Sequence, residues 1–492
     1  MALLYQLMLF SDPISNTLMN LHPSDHLSET EIKAGLKLVI KDGLAAEAMA
    51  TLTGGAFLVA MAVKLGASNL QIGLLAALPT LANIFQLVAI WLVHRYKNRR
   101  AISVICSIFA RFPLLIIGVL PFIFKMGTSI QVLIFLLFFH YFFASVVGTS
   151  WNSWMKDLVP GKTLGRFFSH RSRLIQILNV SLSLFIAIVL DYIKTHYPER
   201  EMLAYSIMFI TGGAIGMLGV YVLSKTPEPM SESMYENIFQ SLAKPFRDKN
   251  FRKFLVFNSL WAFSLNIATP FITVYLMKAI FLPISYIIGL GILGQLCGIL
   301  VIRSWGRYSD KFSNKTIIGI CGPVYTCCII AWSLTGNPSG NISAALVLVL
   351  ISVLSGISIA GVNLAMSNIG LKLAPKEDAI VYISARCMIT SVFPAVAPIV
   401  GGLAADFFAL HQFAWSEQWS RSFFVEVLYF PQWHYWKLFF FTGGALALLS
   451  LRMLVNVYEE GETKKGIVIA GLLTSMSNVF RRFLGKYAAR NN

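Results

Sequence analysis

Val159–Leu174 reads VPGKTLGRFFSHRSRL, four cations (Lys162, Arg166, Arg171, Arg173) gathered in a chain that is otherwise strongly apolar. Its counterpart is Ala374–Met388, APKEDAIVYISARCM. With Pro160 laid on Pro375, Ser169 falls on Ser384 and Arg171 on Arg386, an offset of 215 residues. The same offset sets HRYKNRRAI (His94–Ile102) over SDKFSNKTI (Ser309–Ile317), with Arg100 meeting Lys315. One register serving two separated loops is the mark of an internal duplication, which has to be sought before any motif is trusted.

Composition says what the duplicated unit is made of. Of 492 residues, 56% are hydrophobic and 13% charged, about half the charge density of a soluble domain. A helix of about 20 apolar residues crosses a hydrocarbon core roughly 30 Å thick. Twelve such runs are predicted, near 43–64, 69–92, 101–124, 129–151, 174–193, 203–223, 254–277, 284–302, 316–334, 342–364, 387–405 and 435–456. Six of them fit within one 215-residue repeat. The expectation is an all-α membrane protein whose twelve transmembrane helices form two pseudo-symmetric six-helix bundles, 43–223 and 254–456. They are flanked by an N-terminal extension (1–42), a polar, proline-bearing linker (224–253) and a tail (457–492).

The net charge of +17 invites a nucleic-acid reading until it is placed on this topology. Thirty-two of the 40 Lys and Arg residues fall in the alternate connections that include both chain ends. Seven fall in the others, and Arg111 is left in mid-span. Basic residues collect on the cytoplasmic side, so both termini are expected there and no nucleic-acid partner is. MALLYQLMLF at the start has no basic leader and reads as part of the cytoplasmic extension. The six cysteines have no metal-ligand spacing and read as core-filling thiols. With no paired carboxylates, phosphate-cradling glycine loop or nucleophile motif, neither an enzyme nor a cofactor is expected.

GRYSDKFSNK, Gly306–Lys315, resembles the signature of the major facilitator superfamily: glycine, a small residue, aspartate, and a basic pair. The first-half copy, WLVHRYKNRR (Trp91–Arg100), keeps the basic end but has Trp91 for the glycine and Arg95 for the aspartate. DGLAAEAMATLTGGAF (Asp42–Phe57), IGLLAALPTLANIFQL (Ile72–Leu87) and WMKDLVPGKTLGRFF (Trp154–Phe168) also resemble a bacterial branch of that family. The resemblance implies a secondary active transporter in the cytoplasmic membrane of a bacterium. It would move a small organic solute, expected here to be anionic and proton-coupled, by rocking two bundles about a midplane site. A proton-driven multidrug exporter and an uncoupled facilitator remain the alternatives. A monomer in the lipid bilayer is expected.

Ionisable residues inside spans are costly, by about 2.5–3.5 kcal/mol on insertion scales, and therefore mark candidate sites. Glu47 shares a face of span 1 with Thr51. Arg111 lies mid-depth in span 3 and His140 in span 4. The assignment is Glu47 as proton-coupling carboxylate, with Arg111 and His140 answering it or binding an anion. The competing reading is a purely structural Glu47–Arg111 pair. In the second bundle, Asn266 sits at mid-depth on a stripe with Ser259 and Thr273. Ser352, Ser355, Gly356 and Asn363 form another, and such stripes either bind substrate or pack helices. Gly294 and Gly298 read as packing, and Pro394 and Pro398 as points of bending. Across the repeat Arg95 aligns with Asp310 and Asp157 with Lys372, a sign exchange that predicts Arg95–Asp157 and Asp310–Lys372 pairs at a cytoplasmic gate, joined by Arg171 and Arg386. The aromatic stretch 408–434 is expected to form an external interfacial helix, and the basic, amphipathic C-terminus to lie on the inner leaflet.

Overall fold

The computed structural model describes residues 21–24, 27–160, 163–230, 244–335, 342–375, 379–410 and 435–459. Twelve helical segments among them are long and apolar enough to cross a membrane, matching the count expected from hydropathy. The aromatic stretch beyond Leu410 and the tail beyond Glu459 lie outside the described residues, as does the middle of the linker, 231–243.

The first span begins earlier than its apolar run. Helix α1, Glu29–Thr53, starts at a capping box in which Ser28 accepts from the Glu31 backbone and Glu31 reaches back to Ser28, satisfying donors that a helix start leaves open. Span 1 then breaks at Gly54 and resumes as α2, Gly55–Lys64. The break requires glycine, because Gly55 has φ of 56°. Span 2 is also divided: α3, Asn69–Ala82, contains Pro79, and a 3₁₀ turn, Asn83–Phe85, leads into α4, Gln86–Tyr96. Then follow α5 (Arg99–Ile123), α6 (Met126–Leu158), α7 (Leu164–His196) and α8 (Glu201–Ser224).

The second half repeats the plan. A short α9, Lys244–Arg247, precedes α10, Lys249–Asn266, which Asp248 caps by accepting from the amides of Asn250 and Phe251. After a turn comes α11, Thr269–Lys278, then α12 (Ile284–Phe312), α13 (Asn314–Trp332), α14 (Ile342–Lys372), α15 (Ala379–Leu410) and α16 (Tyr435–Met453).

Two compact units emerge, one of residues 1–67 and 81–236, the other of 68–80 and 237–492. In the first, α5 packs on α6 and α8, and α1 on α8 and α7. Its core joins Val39, Val104, Trp154, Leu158, Val220 and Leu223. The start of the expected linker is built into this unit. Thr226 and Glu228 are buried, Trp154 Nε1 donates to the Pro227 carbonyl at 3.0 Å, and Ser24 pairs with Pro229 in an isolated β-bridge. The first residues of the expected linker, as far as 230, thus lie against this unit.

In the second unit α12 and α13 pack on α14, and α10 on α15 and α16. The outer part of span 2 clusters here: Asp406 on α15 accepts from the Asn69 and Leu70 amides, both at 2.9 Å, and Gly402 lets the Leu70 backbone approach. The α12–α14 crossing rests on Gly294, expected to pack, and on Gly356 of the second polar stripe. A Cβ at Gly356 would meet the Gly294 carbonyl and stand 2.7 Å from its Cα. Gly356→Ala is thus expected to lower the thermal unfolding midpoint in detergent, overpacking costing about 1–3 kcal/mol. Gly289→Ala, where a Cβ meets nothing within 4 Å, is expected to hold or raise it, alanine being the better helix former by about 1 kcal/mol.

All six cysteines are free, with Cys106, Cys321 and Cys328 buried.

Candidate functional site

The polar interior of the first unit is assembled by α1, α5, α7 and α8. Arg111 of α5 is buried, and its partner is Asp42, not Glu47. Nη2 lies 3.3 Å from Asp42 Oδ1, while Nη1 donates to the Gly216 carbonyl at 2.5 Å. Two glycines of α8 make the slot: a Cβ at Gly219 would stand 2.6 Å from Nη1, and one at Gly216 3.2 Å from Cδ. Asp42 itself is only 4% exposed. The competing reading, a Glu47–Arg111 pair, does not form: Glu47 lies five residues further along α1, more than a full turn, and finds a different partner.

That partner is Asn179 of α7, whose Nδ2 donates to Glu47 Oε1 at 2.7 Å and stands 3.1 Å from Thr51 Oγ1. Glu47 and Thr51 do share a face, one turn apart. Glu47 is half-buried while Thr51 is buried, so the carboxylate is the more reachable end of this trio. His140 joins neither group: its Nδ1 is 2.7 Å from the Ala110 carbonyl. A carbonyl only accepts, so Nδ1 carries the proton and the ring ties α6 to α5.

Arg171 lies against α1 in the same unit. Its guanidinium fills the space a side chain at Gly43 would need, 2.7 Å from that position, and sits 4.8 Å from the centre of the Trp151 ring. In the second unit Arg386 stands 2.7 Å from the Cβ position of Gly370 and 5.7 Å from the Phe254 ring centre. Each thus combines a glycine notch with a cation–π contact, and the two are the residues matched across the repeat.

The predicted sign-exchanged pairs form with other partners. Asp157 pairs with Arg99, whereas Arg95 is exposed. Arg99 is 2% exposed; its Nε donates to Glu228 Oε1 at 2.9 Å, and the same carboxylate accepts from the backbone N–H of Arg99 and Arg100. In the second unit Lys372 pairs with Glu459 at 3.2 Å, and Asp310 is exposed. Glu459 also accepts from Asn314 Nδ2 and the Lys315 amide. Arg95 and Asp310 sit near the ends of their helices. Asn266 spends its amide on the Ala262 carbonyl of its own helix at 2.9 Å. Ser259 and Ser352 back-bond likewise to Leu255 and Leu348, the packing use of those stripes. Among the described residues no group of His, Cys, Asp and Glu could hold a metal ion.

Twelve helices long and apolar enough to cross a membrane, on a duplicated six-span plan, describe a multi-pass membrane protein. The sequence profile of the Major Facilitator Superfamily matches residues 43–398, and the chain belongs to that family, whose members bind small-molecule substrates. No curated protein matches the sequence. Among solved structures, the nucleoside transporter NupG superposes with a TM-score of 0.62 at 13% identity, covering 87% of this chain and 100% of that one. A bacterial homologue of the human lysosomal transporter Spinster, inward-facing and unoccupied, gives 0.59 at 14%, covering 88% and 100%. The inward-open xylose transporter XylE from E. coli gives 0.58 at 12%, covering 87% and 100%. At these identities the likeness is one of fold.

Proposed function

We propose that the chain is a proton-coupled secondary transporter of a small organic anion, working by alternating access in a bacterial cytoplasmic membrane with both termini inside, as a monomer. The observation that carries this reading is the half-buried Glu47 carboxylate in span 1, held by Asn179 beside the Asp42–Arg111 pair. The Asn179 amide has both a donor and an acceptor to offer the carboxyl group, and Arg171 acts on it electrostatically. Binding a proton removes the charge whose desolvation opposes closure of a cavity. Arg171, with its stacked guanidinium, supplies the positive charge for the solute. On this reading Asp157, Lys372 and Arg386 serve a cytoplasmic gate, with Arg99 and Glu459 as the partners of the first two. Arg95 and Asp310 then face headgroups.

Thermal-shift screening against a metabolite and drug panel would supply a substrate, to be followed in proteoliposomes with an imposed pH gradient. Glu47→Gln is expected to abolish gradient-driven accumulation, by at least about tenfold, while substrate exchange without a gradient survives. Undiminished accumulation would remove Glu47 as the coupling group. Hits confined to bulky cations would favour the exporter instead.

A further inference from the structure

The second unit contains a cavity of about 460 Å³ unrelated to the charged interior of the first. Leu255, Val256, Leu260, Phe263, Ile389 and Phe393 line it, with Phe246 and Met453, and among the described residues Arg252 is the one charged residue on its wall. Ser259 also borders it, but its hydroxyl is spent on the Leu255 carbonyl at 2.7 Å. The α10 residues that line it, 252, 255, 256, 259, 260 and 263, recur at three- and four-residue spacing and so form one stripe of the helix. At 1.5 Å per residue that stripe is about 16 Å long, against roughly 15 Å for one leaflet of the hydrocarbon core. Val256 and Phe393 are about half exposed, so the groove is open along its side.

Charge collects at one end only. Lys244, Arg247, Lys249, Arg252 and Lys253 lie within ten residues, with Asp248 as the single carboxylate. Asp248 accepts from two backbone amides as the cap of α10. Lys244, Arg247, Lys249, Arg252 and Lys253 are all exposed.

We infer that this groove is a binding site for one anionic phospholipid, its phosphate at Arg252 and the neighbouring cations, and one acyl chain along the α10 stripe between α10 and α15. A zwitterionic lipid would bring an ammonium group into five cations. The chain's own C-terminal segment, with Arg481, Arg482, Lys486 and Arg490, carries the same sign of charge as these cations, which disfavours it as the occupant. Clustered cations at a membrane surface attract anionic headgroups, and the groove adds an apolar register that headgroup attraction alone lacks.

The test uses the delipidated full chain in detergent, with dioleoyl phosphatidylglycerol or dioleoyl phosphatidylcholine added. Binding is read by native mass spectrometry and by thermal shift. One phosphatidylglycerol is expected to remain bound per chain and to raise the unfolding midpoint, with phosphatidylcholine at least about tenfold weaker. Arg252→Gln and Arg252→Glu are expected to erase that preference. Leu260→Trp, which fills the groove, is expected to weaken retention, while Arg303→Glu, an exposed cation of α12 away from the cavity, leaves it unchanged. Equal binding of the two lipids, an unaltered preference in the Arg252 variants, or the full shift from glycerol 1-phosphate alone would overturn the site. So would a lipid that binds only after truncation beyond Glu459, because the tail would then be the occupant.

Discussion

Replacing Arg111 by leucine is expected to destabilise the first unit by about 3–5 kcal/mol, the range for removing one partner of a buried pair and leaving the other charged. Asp42 is as enclosed as Arg111, and the Gly216 carbonyl loses its donor as well. The slot between Gly216 and Gly219 was shaped for a guanidinium, so leucine leaves part of it empty. Asp42→Asn in the same chain removes the stranded charge and is expected to recover more than half the loss in thermal unfolding. Arg111→Leu alone with wild-type stability would mean that the pair is solvated and not buried. The double variant separates structure from transport. If it folds and accumulates substrate against a gradient, Asp42–Arg111 is a structural clamp; if it folds and is inert, the pair takes part in the cycle and Glu47 does not act alone.

That pair shows where sequence reading stops. Asp42 lies one residue before the apolar run that was counted as span 1, so a hydropathy window excluded it, although α1 continues unbroken from Glu29 through it. Arg111, with no acid in its own run, was legible as costly; its partner depended on which helices neighbour, and α1, α5 and α8 meet only through tertiary packing. Asn179 was missed for a different reason. A lone amide in ILNVSLSL costs little and carries no charge signal, so only the contact with Glu47 gives it a role. The span count and the duplicated plan were legible because hydropathy and the 215-residue register are local or periodic, and so was the face that Glu47 shares with Thr51. The rim pairing was half legible. Asp157 and Lys372 are both in ion pairs, but their partners Arg99 and Glu459 do not obey the sign exchange read from Arg95 and Asp310. Glu228 and Glu459 escaped the register altogether, being 231 residues apart while the helix starts they cap are 215 apart.

These two carboxylates do the same work with unequal surroundings, and the inequality predicts an order of effects. Each is 1% exposed, and each accepts from backbone N–H groups at the start of a third-position helix, α5 or α13. Negative charge there is favoured by the helix dipole, and by donors that have no intrahelical acceptor. Removing either carboxylate leaves buried donors unmatched, at about 1–3 kcal/mol. The ion pairs differ. The Arg99 side chain is 3% exposed, so Glu228→Ala leaves its guanidinium with Asp157 and the Ser153 and Pro229 carbonyls inside the unit, whereas the Lys372 side chain is 51% exposed and can turn to water. Exposed pairs contribute about 0–1 kcal/mol, and breaking buried ones costs about 3–5 kcal/mol. Glu228→Ala is therefore expected to lower the unfolding midpoint well beyond Glu459→Ala, with Glu228→Gln between them because its carbonyl oxygen still accepts. Adding Arg99→Leu to Glu228→Ala should recover the difference and bring the two halves level. Equal losses in the two single alanine variants would show that burial of Arg99 contributes nothing, and that the caps alone fix the two helix starts.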